Sequence, residues 1–561
     1  MTTNNSNGRA WLKSYNPGVP ADVEFPEGES ITDLFDKATK QWANKTALVF
    51  YGNKITFAEL RDKVDRLATA LINMGIKKGD RIAMLLLNSP EFVICMFAAF
   101  KVHISPVYVS DEIKHQILDS GAEFLICQDI LYEGVEKTGI KFKYTILTNI
   151  SESLPRLKKM VGTTVLRGVY QKMAAPSPEI FAKEGVHKLQ DILGKSKPNP
   201  PAVKIYPKED VASLPYTGGT TGAPKGVMLT HYNIVANFHQ NKAALQELKP
   251  GEETFIGFMP FYHASGLSAL MLSIFQGFNC VIVTNPDIDD IIQYLVQYKV
   301  TYFLGAPTMY EILKDHEKTD RVNWKKMKLI ESGADSLHED TARDWEERTG
   351  TKITEGYGMT EVVALAHINP HGKEKYSSIG IPAPSTYAAI LDPDEDKYLP
   401  VGETGELVIS GPQVTIGYWQ NKEATKTCEA FMDGIRYWRT GDLGRMDEDG
   451  YFYIYDRKRD LIKYKGLRIF AREVEEVLKN HPSIKEAGVV GVRDPVVGQN
   501  VKAVIVLESD ARGRITEHEI QEYCKDKMAH YKIPKIIDFV GEIPKTDIGK
   551  VSRREIRTEE D

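Results

Sequence analysis

Tyr216-Thr217-Gly218-Gly219-Thr220-Thr221-Gly222-Ala223-Pro224-Lys225-Gly226 places four glycines, three threonines and a lysine within eleven consecutive residues. An apolar stretch at 211–214 precedes it, and a helical pattern starts at His231. Glycines let the backbone turn so that successive N–H groups point inward at an anion, the hydroxyls add donors, and the lysine adds positive charge. In composition this is a polyphosphate cradle. It departs from a Walker loop, which needs Gly-Lys-Ser/Thr together, because Pro224 precedes Lys225 and Gly226 follows it.

On either side, from about residue 55 to 360, strand-length apolar runs alternate with helix-like segments, the pattern of parallel sheets covered by helices. Residues 81–87 read as a strand. Ser89 then caps a helix with Pro90 in its first turn, running towards Lys101. Further strand–helix units are expected at 254–259 and 263–277, 280–283 and 287–298, 301–305 and 307–316, and 328–332 and 337–348. Ligands of such sheets sit at the carboxyl ends of the strands. After about residue 380 the texture changes to short alternating strands, as in 405–409. Beyond Asp456-Arg457-Lys458-Arg459-Asp460 it becomes mixed, with helices at 472–479 and 517–528 and strands at 487–491 and 503–507.

The 561 residues suffice for three or four packing units. With 71 Lys plus Arg against 77 Asp plus Glu, the net charge of −6 excludes a protein that chiefly coats nucleic acid, which needs a concentrated basic surface. The five cysteines, Cys95, Cys127, Cys280, Cys428 and Cys524, lie too far apart for a redox pair or a zinc knuckle and are expected to be buried free thiols. The polar start lacks a signal-peptide core, and the longest apolar run, 92–100, is too short to span a bilayer. A cytoplasmic protein is expected, with no transmembrane segment and with peripheral membrane contact left open.

The glycine-threonine segment resembles the phosphate signature of the adenylate-forming superfamily, which comprises acyl-CoA synthetases, firefly luciferase and the adenylation domains of peptide synthetases. Four further segments match in order: Glu355-Gly356-Tyr357-Gly358-Met359-Thr360-Glu361 resembles its nucleotide and magnesium motif, Trp438-Arg439-Thr440-Gly441-Asp442 its ribose motif, 456–466 its interdomain hinge, and Pro544-Lys545-Thr546-Asp547-Ile548-Gly549-Lys550 its C-terminal lysine motif. The resemblance implies an α/β fold. Its large N-terminal domain (1–456) would have two parallel-type αβ sheet subdomains, at about 30–380, and a small β-barrel-like subdomain, at about 381–456. A hinge at 457–459 would lead to a mobile α+β lid at 460–561. Arg459 stands at the pivot, where many relatives carry Asp or Lys, and Ala471 where they commonly carry Pro.

The implied chemistry turns a carboxylate into an acyl donor. The carboxylate attacks the α-phosphorus of ATP, pyrophosphate leaves, and a thiol attacks the mixed anhydride, so the site must supply preorganised positive charge and donors. Thr217, Gly218, Gly219, Thr220, Thr221, Gly222 and Lys225 would hold the phosphates. Glu361 would bind Mg2+ and Thr360 would donate to the α-phosphate. Tyr357 offers adenine a flat face, Gly333 and Ala334 a close backbone, and Glu355, Gly356 and Gly358 complete the nucleotide motif. Asp442 has two acceptor oxygens for the ribose hydroxyls, with Arg457 as a second ribose or phosphate contact. Lys550 would bridge substrate carboxylate and α-phosphate. Lys465 and Gly466 would line the coenzyme A path, and His263, Phe258 and Gly305 the acyl site. His263 would act there as a gate.

The apolar residues Phe255, Met259, Leu267, Leu270 and Leu272 suit either an acyl pocket wall or a buried core helix. The texture is most similar to medium- and long-chain fatty acyl-CoA ligases, so the expected reaction is ATP plus fatty acid plus CoA to acyl-CoA, AMP and pyrophosphate. An aromatic or other acid, transfer to a carrier protein, oxidation as in luciferase, and an inactive acyl-AMP-binding scaffold are the alternatives. Either a monomer or a homodimer is compatible with the sequence.

Overall fold

The computed structural model describes residues 9–109, 112–155, 178–217, 223–465, 467–545, 551 and 553–558. Two compact units divide the chain. One comprises Trp11–Tyr387 and Ser410–Glu429; the other contains Ala388–Ile409 and the chain from Ala430 onward.

The larger unit carries two sheets. The first has nine strands in the order Ile381–Pro382, Leu365–Ile368, Thr354–Gly358, Leu329–Ser332, Tyr302–Gly305, Thr254–Gly257, Asn279–Ile282, Thr46–Phe50 and Asn53–Thr56. The pairs from Thr354–Gly358 through Thr46–Phe50 are parallel, and the pairs beyond them, two at one edge and one at the other, are antiparallel. The second has five parallel strands in the order Ser105–Tyr108, Arg81–Leu85, Phe124–Gln128, Tyr144–Thr148 and Val186–Lys188. Parallel sheets are covered on both faces, which explains why Phe124–Gln128 and Tyr302–Gly305 are buried throughout and do not alternate.

The apolar run at 92–100 belongs to the helix Pro90–Lys101, in which every residue from Pro90 to Phe100 is buried. The Ser89 Oγ accepts from the Phe92 N–H (3.3 Å), closing the helix start where the sequence places it. Among the described residues no helix is long and apolar enough to cross a membrane. All five cysteines are free, and all but Cys428 are buried.

In the smaller unit, Tyr387–Leu391, Gly405–Ser410, Ile435–Met446, Glu429–Met432 and Phe452–Arg457 build a five-stranded sheet. A second five-stranded sheet joins Leu467–Ile469, Ile462–Tyr464, Gly498–Leu507, Ile484–Asp494 and Ile536–Phe539, with the helices Ala471–Lys479 and Glu517–Lys525 over a core that includes Ile469, Val474, Leu478, Val489, Ile505 and Ile520. The strand expected at 487–491 is longer here, Ile484–Asp494. Its partner Gly498–Leu507 continues the ladder to Asp494↔Gly498, so main-chain pairing carries the strand through the polar Arg493 and Asp494.

Candidate active site

Tyr216–Thr217 and Lys225–Gly226 pair antiparallel, Thr217 opposite Lys225, so the two flanks of the glycine-threonine segment form the base of a hairpin. Gly218, Gly219, Thr220, Thr221 and Gly222 lie outside the described residues. The base of the hairpin is tied down on several sides. The Tyr216 hydroxyl donates to Asp119 Oδ2 (2.6 Å), and His115 Nε2 donates to the Pro224 carbonyl (2.9 Å). The Trp419 N–H donates to the Gly226 carbonyl (2.8 Å), and the Met228 N–H to that of Gly417 (2.9 Å). Lys225 is half-buried, its ammonium 5.1 Å from the centre of the Tyr418 ring.

Three parallel strands of the nine-stranded sheet, Tyr302–Gly305, Leu329–Ser332 and Thr354–Gly358, end side by side, with Gly305 opposite Ser332 and Ser332 opposite Glu355. The Gly333 N–H donates to the Gly305 carbonyl (3.2 Å). Of the glycines at these strand ends, Gly333 is the one with room at its Cβ position, where the nearest atom is 3.7 Å away; at Gly305, Gly356 and Gly358 that space is taken by Tyr310, Leu365 and the Ala364 carbonyl, so the backbone at Gly333 is where a flat ligand can approach. Ala334 follows with φ 71°, in the left-handed region. Tyr357 is half-buried, the edge of its ring against His367 (5.8 Å). Burial drives the His367 imidazole down to about 3, so that ring is neutral. The Glu355 carboxylate is turned towards the backbone, where its Oε1 accepts from the Leu337 N–H (3.2 Å).

After Gly358 the chain doubles back so closely that a Cβ on this residue would lie 1.2 Å from the Ala364 carbonyl oxygen, which only glycine tolerates. The turn contains Thr360–Val362 in a 3-10 helix and Val363 at φ 70°, an uncommon conformation for a β-branched residue. Glu361 is buried within it. Its carboxylate Oε1 accepts from the Tyr418 hydroxyl (2.6 Å), and its carbonyl from the Thr415 N–H (2.8 Å). Burial, and then the Glu361 charge, push the Tyr418 phenol far above its ordinary value, so it stays a donor. Lys225 and Glu361, both singled out in the sequence, are therefore linked through Tyr418, which the sequence reading did not select.

Phe258 follows strand Thr254–Gly257, next to Tyr302–Gly305, and packs on Phe303 (5.3 Å between ring centres). The turn that carries it is held by Asn88. The Asn88 amide donates to the Met259 carbonyl (2.8 Å) and Gly257 carbonyl (3.3 Å), and its Oδ1 accepts from the Phe261 N–H (2.8 Å). His263 caps the helix Ala264–Phe275 without a side-chain cap bond, its ring 4.5 Å from that of Tyr262. Phe255, Leu267, Leu270 and Leu272 are buried. Nearby, burial raises the Glu331 carboxyl to about 7, and it accepts from the Tyr302 hydroxyl (2.8 Å).

In the smaller unit Asp442 and Arg457 face each other across the ladder, the Arg457 Nε 2.8 Å from Asp442 Oδ1. Asp442 is buried and the arginine partly exposed. Arg459 lies 3.7 Å from Asp460. Lys465 takes φ 49° in the turn between Ile462–Tyr464 and Leu467–Ile469, and its N–H donates to the Val497 carbonyl (2.7 Å). Gly466 and Lys550 lie outside the described residues. Lys545, within the lysine motif, and Val551, just after it, form an antiparallel bridge. Arg553 then pairs with Glu475, Asp456 and Asp460 at 2.7, 3.3 and 3.2 Å. No local signal marks Asn88, Glu331, Tyr418 or Arg553, because each acts through side chains distant in sequence.

Comparison with known proteins agrees with this arrangement. The AMP-binding enzyme family matches residues 35–419, and the AMP-binding enzyme C-terminal domain matches residues 473–550. A long-chain-fatty-acid–CoA ligase of Bacillus subtilis (strain 168) is 36% identical over 562 residues, covering 98% of each chain. ATP-bound MatB from Rhodopseudomonas palustris is 26% identical with a TM-score of 0.79, over 95% of this chain and 99% of that one. The anthranilate CoA ligase AuaEII in complex with anthranoyl-AMP is 25% identical with a TM-score of 0.79, over 95% of this chain and 98% of that one.

Proposed function

As a member of the AMP-binding enzyme family, the chain has an activity to be specified, and we propose that it is a fatty acid–CoA ligase working through an acyl-adenylate. The observation that carries the reading is the pairing of a cation, Lys225, with a buried carboxylate, Glu361, through one tyrosine in the unit whose open backbone at Gly333 suits a flat base. In the first step an oxygen of the fatty carboxylate attacks the α-phosphorus of ATP, the bond from that phosphorus to the bridging oxygen breaks, and pyrophosphate leaves. In the second the coenzyme A thiolate sulfur attacks the acyl carbon, the bond to the phosphate oxygen breaks, and AMP leaves. The thiol proton goes to solvent.

The Gly218–Gly222 loop and Lys225 hold the β- and γ-phosphates. Thr360 donates to the α-phosphate, Tyr357 stacks on adenine over the Gly333–Ala334 backbone, and Asp442 accepts from the ribose hydroxyls with Arg457 fixing its carboxylate. Lys550 neutralises repulsion between the carboxylate and the α-phosphate. Among the described residues no group of three or more His, Cys, Asp or Glu would cage a metal. One buried carboxylate is the donor set that suits magnesium, which keeps several waters and takes phosphate oxygens beside one or two protein carboxylates. Glu361 would hold it, and the ion would screen the phosphate charge.

Rotation at the hinge 457–459 would replace Lys550 by the Lys465–Gly466 turn for the second step, with His263 gating the path between acyl site and thiol. The fatty-acid assignment draws on the Bacillus subtilis relative. The likeness to AuaEII favours a second reading, an aromatic acid. Acid-dependent exchange of labelled pyrophosphate into ATP, run with acids from acetate to oleate and with benzoates, separates the two. Exchange with long acids is expected, exchange with benzoates alone selects the second reading, and exchange with none overturns both. Lys550→Ala should abolish exchange yet spare thioester formation from supplied acyl-AMP; equal loss of both steps refutes the role given to Lys550.

A further inference from the structure

Residues 415–419 form a strap between the exit of the phosphate hairpin and the Glu361 turn. The Thr415 N–H donates to the Glu361 carbonyl (2.8 Å), and its hydroxyl contacts the carbonyls of Met228 (2.7 Å) and Gly417 (3.1 Å). Gly417 accepts from the Met228 N–H (2.9 Å), Tyr418 bridges to Val227, and the Trp419 N–H donates to the Gly226 carbonyl (2.8 Å). At the centre stands Tyr418, 7% exposed. Its hydroxyl meets Glu361 Oε1 at 2.6 Å, and its ring faces the Lys225 ammonium at 5.1 Å.

We propose that Tyr418 is a positioning residue that sets the metal-binding carboxylate and the phosphate-binding ammonium in register, the first through its hydroxyl and the second through its ring. The inference rests on the reading above, in which Glu361 holds magnesium and Lys225 the phosphates. A short hydrogen bond from a neutral hydroxyl to a carboxylate fixes the plane of the carboxylate without adding a competing charge. An aromatic face attracts an ammonium while leaving its N–H groups to bind an anion. The strap's main-chain bonds to both flanks make the spacing of the two charges a property of one rigid segment. Two functions of a single side chain can be removed separately, since Phe keeps the ring and loses the hydroxyl, whereas Leu loses both.

The test is calorimetric titration of the full-length protein with ATP, once in EDTA and once with saturating Mg2+. The quantity read is the factor by which Mg2+ tightens ATP binding. Loss of a group that orients a metal ligand typically costs 10- to 100-fold in metal affinity, so Tyr418→Phe should reduce that factor by roughly 10- to 100-fold and leave the affinity in EDTA nearly unchanged. Tyr418→Leu should in addition weaken binding in EDTA by roughly 2- to 30-fold, the range of a cation–π contact. A merely structural tyrosine would lower both affinities together, and that result overturns the proposal. Glu361→Gln is the reference. If it abolishes the Mg2+ effect while Tyr418→Phe preserves it, the role of Tyr418 is refuted and that of Glu361 stands; if Glu361→Gln preserves the Mg2+ effect, both readings fall. Tyr418→Phe removes a single oxygen and decides the question alone should Tyr418→Leu not fold.

Discussion

Replacing Arg553 by Met removes the one guanidinium around which three buried carboxylates gather. Asp456, Asp460 and Glu475 have side chains 1%, 5% and 9% exposed, and the arginine itself 18%. Glu475 holds it with both oxygens, taking Nη2 at 2.7 Å and Nε at 3.0 Å. The other contacts divide unevenly. Asp456 also accepts from the Arg457 and Arg472 N–H groups, and Asp460 also pairs with Arg557 (2.7 Å), while Glu475 has the Val489 N–H at 2.8 Å. Asp460 keeps Arg557, but Glu475 and Asp456 are left with buried charges and no cation, Glu475 with one backbone N–H and Asp456 with two, a defect that costs about 3–5 kcal/mol when one partner of a buried pair is removed. Because Arg553 opens the terminal helix Arg553–Thr558, the energy appears first as local undocking of that helix, with the open population rising roughly 100- to several thousand-fold.

Hydrogen exchange of peptides covering 471–479 and 551–558, taken as the ratio of variant to parent at each pH, reads this directly. Burial already raises the Asp456 and Glu475 pKa values, against the pull of Arg553, and removing the arginine raises them further. A carboxyl whose folded pKa lies above its unfolded value contributes stability that is fully present below the unfolded value and is lost as pH rises through the folded one. The variant's defect should therefore be larger at pH 8 than at pH 5.5. Adding Glu475→Gln should recover part of it. The same helix follows the segment that carries Lys550, so pyrophosphate exchange should fall more than thioester formation from acyl-AMP. Unchanged exchange at pH 8, or a defect that shrinks as pH rises, refutes the argument.

Asn88→Leu leaves the Met259 carbonyl and the Phe261 N–H without their side-chain partner. At about 1–3 kcal/mol for each buried group so orphaned, the urea midpoint should drop, and KM for the acid should rise while KM for ATP holds; an unchanged acid KM refutes the role assigned to Asn88. Glu331→Gln removes a buried carboxyl raised to about 7, whose contribution to stability is present below about 4.5 and lost as pH rises through 7. The variant should gain on the parent by about 2.5 kcal/mol between pH 5 and pH 8.5, read from urea midpoints, and identical pH slopes for the two proteins contradict it.

Local chemistry accounts for what the sequence made legible. The Ser89-Pro90 helix start, the successive strand–helix units up to Thr349 and the glycine-rich character of 216–226 each depend on residues within a few positions of one another, and each is read from propensity, capping and composition. Boundaries drift where long-range pairing takes over, as in Ile484–Asp494, which the ladder extends beyond its apolar centre. The site residues chosen in the sequence came from recurring motifs, and most of the described ones lie at strand ends and turns, while Asp442 lies inside the strand Ile435–Met446. Glu355 shows the limit of that approach, because its carboxylate is turned to the Leu337 N–H, a contact its motif does not announce.

What the sequence determined by itself was the order of elements, the α/β class, the glycine, threonine and lysine composition of 216–226 that suits a polyphosphate, and the kind of reaction such motifs serve. The tertiary structure alone decided which side chains hold those motifs in place. Tyr418 meets Glu361 across 57 residues, Thr415 reaches Met228 across 187, Asn88 reaches the Met259 turn across 171, and Arg553 reaches Asp456 across 97. Contacts at that separation form only once the sheets have closed their loops and brought distant segments together, so no window of neighbouring residues encodes them.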